Sequence, residues 1–563
     1  MSSTHWDVVI VGSGFGGSVA ALRLSEKGYR VLVVESGRRF ADEELPKTSW
    51  RMPKYLWAPA VGMFGIQRLT LLNDVLVMSG AGVGGGSLVY GNTLYEPLDE
   101  FYEDPQWSGI TKWREELEPH YAQAKLMLGV VENPVETPAD TIMLKVATDL
   151  GLADTFHRTQ VGVLFGDEPG RDVPDPYFGG AGPARTTCTS CGSCMTGCRV
   201  GAKNTLPKNY LHLAEALGAT IRPLTTVTAV TPRANGGYSV SLRAAGPGAP
   251  GPRTAEVHAD QVVLAAGTLG TQRLLHRMKA DGVLPNLSDR LGTLTRTNSE
   301  SILAVEARDL EVDYSAGPAI TSSVHLDART HVEPVRYGPG SNFMGLLSTV
   351  LSAGNTPGER PLPRWRRYLS AVKADPRSFV RSLSVRRWSE RTTVMLVMQS
   401  ADNSLDVSMP RTRLGRRLVS KQGTGAPNPT WLPQAHDVTT RFADEIGGDA
   451  RGTWPEVLDM PLTAHILGGA VIGDTAETGV IDPWQRVYGH EGLHVADGAA
   501  VTANLGVNPS LTITAQAERA MSFWPNKGQA DPRPPLGAQY EQVPMVRPSR
   551  PAVPSQAPAS LQW

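Results

Sequence analysis

Asp7-Val8-Val9-Ile10-Val11-Gly12-Ser13-Gly14-Phe15-Gly16-Gly17 is followed by Ser18-Val19-Ala20-Ala21-Leu22-Arg23-Leu24. The pattern is an unbroken apolar run, a glycine turn and a helix-forming stretch. Burial on both faces in a parallel sheet accounts for the unbroken run. Gly12, Gly14 and Gly17 stand in G-x-G-x-x-G register, the dinucleotide fingerprint. In that motif the first glycine makes the turn, the second admits a pyrophosphate, and the third lets helix and strand pack closely. Free N–H groups and the helix dipole then favour phosphate at the helix N-terminus. Gly28 marks the expected helix end. A second strand, Val31-Leu32-Val33-Val34, ends at Glu35, where a ribose 2′-OH is usually held. An acid there disfavours a 2′-phosphate and hence NADP. NAD and FAD both remain open on this motif.

The 563 residues exceed one core, so several domains are expected. Hydrophobic content of 41% with 19% charged residues is ordinary for a globular enzyme. A net charge of −1 gives no reason to expect a nucleic-acid partner. The chain enters a core strand almost at once, without the pattern of a signal peptide. No apolar run approaches the roughly 18 residues of a membrane span. A cytoplasmic protein is expected, with peripheral contact to a membrane left open.

Two further stretches carry chemistry. Met78-Ser79-Gly80-Ala81-Gly82-Val83-Gly84-Gly85-Gly86-Ser87-Leu88-Val89-Tyr90-Gly91-Asn92 is dense enough in glycine for main chain to run against a flat ligand. Apolar residues on both sides argue against a flexible linker. The four cysteines of the chain, Cys188, Cys191, Cys194 and Cys198, fall in one C-x2-C-x2-C-x3-C run. This is the spacing of bacterial ferredoxins without their following proline. Thiolates suit iron–sulfur clusters and zinc alike. Redox-active or unligated thiols are the third reading. Arg199 and Lys203 could offset a cluster's charge.

The glycine-rich segment resembles the second flavin-binding segment of the glucose–methanol–choline (GMC) oxidoreductases, and within them most resembles that of the cholesterol oxidases. Three later stretches extend the resemblance. Thr463-Ala464-His465-Ile466-Leu467-Gly468-Gly469 is similar to the family's H-P-L-G-G, with Ile466 in place of proline. Asp497-Gly498 matches the pair beside the flavin's phosphate and ribityl chain. Gly506-Val507-Asn508-Pro509-Ser510-Leu511-Thr512-Ile513-Thr514-Ala515 resembles the segment opening the closing helix, whose N-terminus faces the flavin pyrimidine. The resemblance implies FAD as the dinucleotide, cradled by Gly12, Gly14, Phe15, Gly17, Glu35, Gly80, Gly85, Gly86, Gly91, Asn92, Val227, Gly267, Asp497, Gly498, Asn508 and Pro509. Some GMC dehydrogenases also carry an iron–sulfur cluster, which favours that reading of the cysteines.

The expected fold is α/β: a discontinuous FAD-binding Rossmann-like domain with an interleaved α+β substrate domain. Residues 1–100, 200–292 and 456–524 make up the first. Residues 101–199 form a helical segment ending in the cysteine run. Short β segments at 224–230, 238–242 and 256–259 precede a return to the main sheet at 261–268, with a turn at Asn235-Gly236-Gly237 and a longer loop at 246–252. Residues 293–455 carry the substrate sheet, with alternation around 302–305 and 393–399. Within them, residues 360–391 interleave Arg364, Arg366 and Arg367 with Trp365, Tyr368 and Leu369. This is a lipid-docking pattern or a solvated helical face. Residues 525–563 are Pro-rich and expected to be disordered or wrapped on the surface.

The resemblance implies oxidation of an alcohol, with the hydroxyl proton taken by a base and hydride passed to flavin N5. His465 is the candidate base, since an imidazole titrates near working pH. Asn508 would hold the substrate oxygen or the flavin edge. The expected substrate is the 3β-hydroxyl of a cholesterol-like steroid; a cluster would favour passing the electrons to an acceptor protein, with oxygen as the alternative acceptor. Another alcohol, such as a sugar or terpenoid, is the alternative. A non-catalytic electron-transfer or lipid-binding flavoprotein is the alternative of another class. Glu333 is the candidate carboxylate for isomerising a first ketone product; an exposed glutamate is the competing reading.

Overall fold

The computed structural model describes residues 5–250, 253–354, 362–413 and 415–563. Residues 251 and 252 of the loop expected at 246–252, and residues 360 and 361 at the head of the basic stretch, lie outside these. The first strand, His5–Val11, is central to a parallel core. It pairs with Val31–Val34 on one side and Ala255–Leu264 on the other. Val8, Val9 and Ile10 are wholly buried, as two-sided coverage demands. Thr220–Arg222 adds an outer parallel strand beside Val31–Val34, and Leu493–Val495 one beside residues 262–264.

Residues 256–259 and 261–264 are not two segments. They form the single strand Ala255–Leu264. Its first half alternates in burial and pairs antiparallel with Tyr238–Ala244. Its second half, Val262-Val263-Leu264, is buried on both faces. The strand therefore leaves the parallel core and becomes the edge of a meander closed by Thr225–Pro232.

Helix Phe15–Glu26 packs against Tyr210–Ala216 and Ser510–Ser522, and the latter also packs on Trp113–Leu128. Gly28, at φ +89°, terminates the first helix in the left-handed conformation. Arg23 on that helix is buried. It donates to Glu518 Oε2 at 2.7 Å and Oε1 at 2.8 Å, and to Glu26 Oε2 at 2.8 Å.

The Pro-rich segment is ordered rather than disordered. Without helix or strand, residues 525–563 run over the first helix and seal its outer side. Ala552 N donates to Glu26 Oε1 at 2.9 Å, Gln562 N donates to Gln123 Oε1 at 2.8 Å, and the buried Trp563 ring lies 5.8 Å from the Arg23 guanidinium. Low hydropathy suggested freedom. Backbone and indole contacts to a ready-made helix surface remove it.

The second sheet is antiparallel. Its order is Ser348–Val350, Asp449–Thr453, Ser301–Glu306, Thr392–Gln399, Thr330–Val335, Ser322–Asp327, His157–Arg158. Helices Pro138–Asp149 and Pro433–Glu445 cover one face through Met143, Val146, Val438 and Phe442, which meet Val305, Val324, Val332 and Val397. The opposite face presents Ile302, Val335 and Leu396 toward the first unit.

Candidate active site

Between the two sheets lies a cavity of about 830 Å³. One wall comes from Gly12, Gly14, Phe15, Glu35, Gly267, Asp497 and Gly498; the other includes Ile320, Val335 and Leu396. Gly80, Gly85, Gly86, Gly91, Val227, Asn508 and Pro509 also line it. Gly17 and Asn92 do not. Gly17 lies beneath the turn, where an added Cβ would fall 2.2 Å from Gly12 O. Asn92 is wholly buried with φ +74° and shapes the main chain behind the wall.

The glycine turn tests the fit of a dinucleotide. Gly12 has φ +106°, and a Cβ there would sit 2.1 Å from Ala265 O. Gly14 differs: a Cβ would meet nothing within 4 Å. Its lack of a side chain therefore serves no protein contact and leaves open the space at the N-terminus of helix Phe15–Glu26. A pyrophosphate fits that cradle. Glu35 lines the next part of the cavity, accepting from Ser13 N at 3.0 Å, Ser13 Oγ at 2.8 Å and Gly37 N at 2.7 Å. Its carboxylate is pinned by the turn it serves. The segment after Arg38 holds short elements such as Met52–Tyr55 and Gln67–Leu71, and it brings Trp57, Pro59, Gln67 and Arg68 to the cavity as a cover. The glycine-rich stretch is no linker: Gly85–Leu88 is a short helical turn with Ser87 and Leu88 buried.

Asp497, part of this wall, is otherwise buried. Thr271 Oγ1 donates to its Oδ2 at 2.6 Å and Ala499 N to its Oδ1 at 2.8 Å. Burial pushes its carboxyl up to about 6, against the pull of these donors.

His465 and Asn508 line the same cavity. His465 follows Leu462–Thr463, a strand parallel to Leu76–Gly80. Its Nδ1 lies 3.4 Å from Oε1 of Glu300, a wholly buried carboxylate. Glu300 Oε2 accepts from Thr463 Oγ1 at 2.6 Å and Ala464 N at 2.9 Å, and burial raises its carboxyl above the usual range. Asn508 Nδ2 donates to Glu333 Oε2 at 3.1 Å, which leaves Asn508 Oδ1 buried without a protein partner. Glu333 is not the exposed residue that the sequence also allowed. It is fully buried on strand Thr330–Val335, one layer behind Asn508, and burial raises its carboxyl to about 8, with a further push from Glu300.

Sequence reasoning missed the segment that joins these parts. Asn298 and Ser299 are left-handed, at φ +60° and +44°. Asn298 Oδ1 accepts from Leu505 N at 3.1 Å and Gly506 N at 2.9 Å, while its Nδ2 donates to Val507 O at 2.9 Å. Asn298 thus holds the loop that presents Asn508, and Glu300 holds the segment that presents His465. Two consecutive left-handed non-glycine residues are strain that tertiary contacts must support.

The four cysteines come together as free thiols lining one narrow pocket with Lys203 and Gly317. Cys194 and Cys198 are buried, Cys188 is half-buried and Cys191 is exposed. Burial raises the Cys188 thiol to about 12. Among the described residues, no three of these sulfurs lie within 4.8 Å of one another. A single zinc at about 2.3 Å from each sulfur would hold them closer. Lys203 Nζ is buried beside them, donating to Tyr90 O at 2.8 Å and Cys194 O at 2.9 Å. Arg199 turns away to the carbonyls of Glu43 and Leu45.

Residues 184–287 and 376–517 match the GMC oxidoreductase family, and residues 10–43 match a NAD(P)-binding Rossmann-like domain. The chain is 57% identical to a cholesterol oxidase of Mycobacterium tuberculosis, over 99% of this chain and 98% of that protein. It is 42% identical to a cholesterol oxidase of Acinetobacter baumannii, over 94% and 96%. Pyridoxine 4-oxidase from Mesorbium loti shares the fold with a TM-score of 0.55 at 15% identity, over 92% of this chain and 98% of that one. Given these matches and the cradle left open at Gly14, the chain belongs to the GMC oxidoreductase family and is an FAD-dependent oxidoreductase of the CH–OH group.

Proposed function

We propose that the protein oxidises the 3β-hydroxyl of a cholesterol-like steroid to the ketone, using His465 and Asn508. The observation that carries this reading is the pairing of His465 with the buried Glu300 at the wall of a cavity whose other end is the dinucleotide cradle. FAD bound in that cradle supplies the hydride acceptor.

The remaining steps belong to the chain's own residues. Glu300 Oε1, 3.4 Å away and itself without a hydrogen-bond partner, would accept the Nδ1–H of His465 after a small turn of the ring. That tautomer leaves Nε2 as a base for the hydroxyl proton. Asn508 has its amide N–H committed to Glu333, so Oδ1 is left as an acceptor for the substrate hydroxyl or the flavin edge. Met195, Ile320, Val335 and Leu396 give the substrate side an apolar lining suited to a fused ring system. The names of the 57% and 42% identical relatives support a sterol over a sugar or a terpenoid. Bleaching of the bound flavin by cholesterol without oxygen tests the reading. Bleaching by sugar or terpenoid alcohols, but not by any 3β-hydroxysteroid, would refute it.

The cysteine run supports a further part of the proposal. The four thiols, with Lys203 beside them, would hold an iron–sulfur cluster, and such a cluster supplies a one-electron outlet. Met195, in the short turn Ser193–Thr196 that carries Cys194, also lines the large cavity, so the two sites share a wall. Electrons would then pass to an acceptor protein rather than to oxygen. Iron content and the EPR spectrum of protein purified without oxygen test this; iron-free protein with full dye-linked activity would reject it.

No helix among the described residues is long and apolar enough to cross a membrane. Trp365 and Leu369 on helix Arg364–Ala374, with Val380 and Leu383 nearby, are exposed among arginines. They support peripheral contact of a cytoplasmic enzyme with an anionic lipid surface. Co-sedimentation with anionic vesicles, lost on Trp365→Glu with Leu369→Glu, is the expected result.

A further inference from the structure

Three histidines stand outside the chemistry described so far. His331 lies on Thr330–Val335, His325 on Ser322–Asp327 and His157 on His157–Arg158, three adjacent strands of the substrate sheet. His325 sits directly opposite His331, and His157 opposite Ser323. Strand alternation puts Ser323 and His325 on one face, so the three imidazoles share that face. Their ring centroids are 4.8, 5.5 and 6.2 Å apart, and one nitrogen from each lies within 4.8 Å of the others.

We propose that His157, His325 and His331 form a binding site for a divalent transition-metal ion of the zinc, cobalt or nickel type, built across the edge of the substrate sheet. The buried ring of His331 carries the case. It is wholly inaccessible, yet neither Nδ1 nor Nε2 has a hydrogen-bond partner. A buried polar group without a partner is costly and calls for a ligand. His157 supplies a second, independent observation. Its Nδ1 faces Thr155 O at 3.0 Å. A carbonyl only accepts, so Nδ1 carries the proton and Nε2 the lone pair. Orientation of a metal-binding histidine by a carbonyl on its other nitrogen is the usual arrangement. Nε2 now contacts Ser323 Oγ at 2.8 Å, a hydroxyl that an ion would displace. Metal–nitrogen bonds of about 2.0–2.1 Å require the three nitrogens to close in by roughly an ångström. His157 and His325 are only half-buried, so that movement falls to them rather than to His331. The Tyr95 ring, its centroid 5.3 Å from that of His331 and 5.7 Å from that of His157 and steeply inclined to both, closes one side. Three imidazoles with a fourth position open suit zinc-type ions better than calcium or magnesium, which prefer oxygen.

Tag-free, FAD-loaded full-length protein, first stripped of loosely bound metal, tests the site by titration with Co2+ and competition by Zn2+. One ion is expected to bind with the visible bands of low-coordinate cobalt. His325→Gln and His157→Gln, both at half-buried positions, should weaken binding at least tenfold while the flavin spectrum and thermal midpoint without metal stay unchanged. His5→Gln, which removes an exposed group of His5, Asp7 and Asp260 with similar spacing, should have no effect. Binding unaffected by His325→Gln and His157→Gln would overturn the proposal, as would the absence of a bound ion at one equivalent. Either result leaves the alcohol oxidation at His465 untouched.

Discussion

His465 Nδ1 and Glu300 Oε1 lie 3.4 Å apart, and the Glu300 side chain has no exposure to solvent. The carboxylate reaches His465 from a segment 165 residues upstream in the chain, and under the proposed mechanism it selects the tautomer of the ring.

Glu300→Gln keeps the shape but presents either an amide N–H or a weaker acceptor to Nδ1. The wrong tautomer then becomes favourable, with Nε2 protonated and useless as a base. Turnover should fall by roughly 10²–10⁴ with little change in KM. Steady-state kinetics with a pH profile, alongside the thermal midpoint, separates this from unfolding. A variant with normal turnover would remove Glu300 from the mechanism.

Gly14 and Gly17 should respond differently to the same added methyl. At Gly17 the Cβ falls 2.2 Å from Gly12 O, so Gly17→Ala must displace the first helix and destabilise the fold. At Gly14 nothing lies within 4 Å, so Gly14→Ala should fold normally and lose affinity for FAD. Thermal melts of cofactor-free protein and flavin titration distinguish the two.

Asp497 predicts a pH dependence of the cofactor-free protein. Its carboxyl is raised to about 6 by burial, from an ordinary value of 3.8. The folded form therefore holds the proton more tightly than the unfolded form. That stabilisation is complete below pH 3.8 and is lost as pH rises through 6. It amounts to about 3 kcal/mol. Asp497→Asn should flatten the fall in stability between pH 4 and 7, as read by denaturant melts across that range. An identical pH slope in both proteins would show that the residue does not titrate this way.

Asn298→Ala would strip partners from Leu505 N, Gly506 N and Val507 O together. A cost of about 1–3 kcal/mol is expected. The loop carrying Asn508 should also loosen, so turnover should drop even where the protein remains folded at assay temperature. Hydrogen exchange at residues 505–507 reports the loop directly.

Much of the FAD-binding unit was legible because its signals are local. The strand, the glycine turn, the helix ending at Gly28 and the acid at Glu35 lie within one βαβ unit. Helix Trp113–Leu128 falls inside the helical segment expected from residue 101 onward. The roles of Glu300 and Asn298 were not legible. A short polar run before a strand looks like any loop, and only its left-handed backbone and distant partners distinguish it. Glu333 was ambiguous for the same reason, since burial of a glutamate depends on neighbours remote in sequence. The Pro-rich segment misled in part, because composition reports the cost of ordering a chain and not the surface waiting to receive it.

By itself, the amino-acid order determined the dinucleotide turn, the clustering of four cysteines and the family resemblance around His465 and Asn508, because each depends on spacing along a few residues. Only the tertiary structure decided that Glu300 stands behind His465, that Glu333 backs Asn508, and that His157, His325 and His331 share one face. These relationships join strands and loops far apart in the chain. They exist only once packing of the two sheets has buried polar groups and forced each to find, or to lack, a partner.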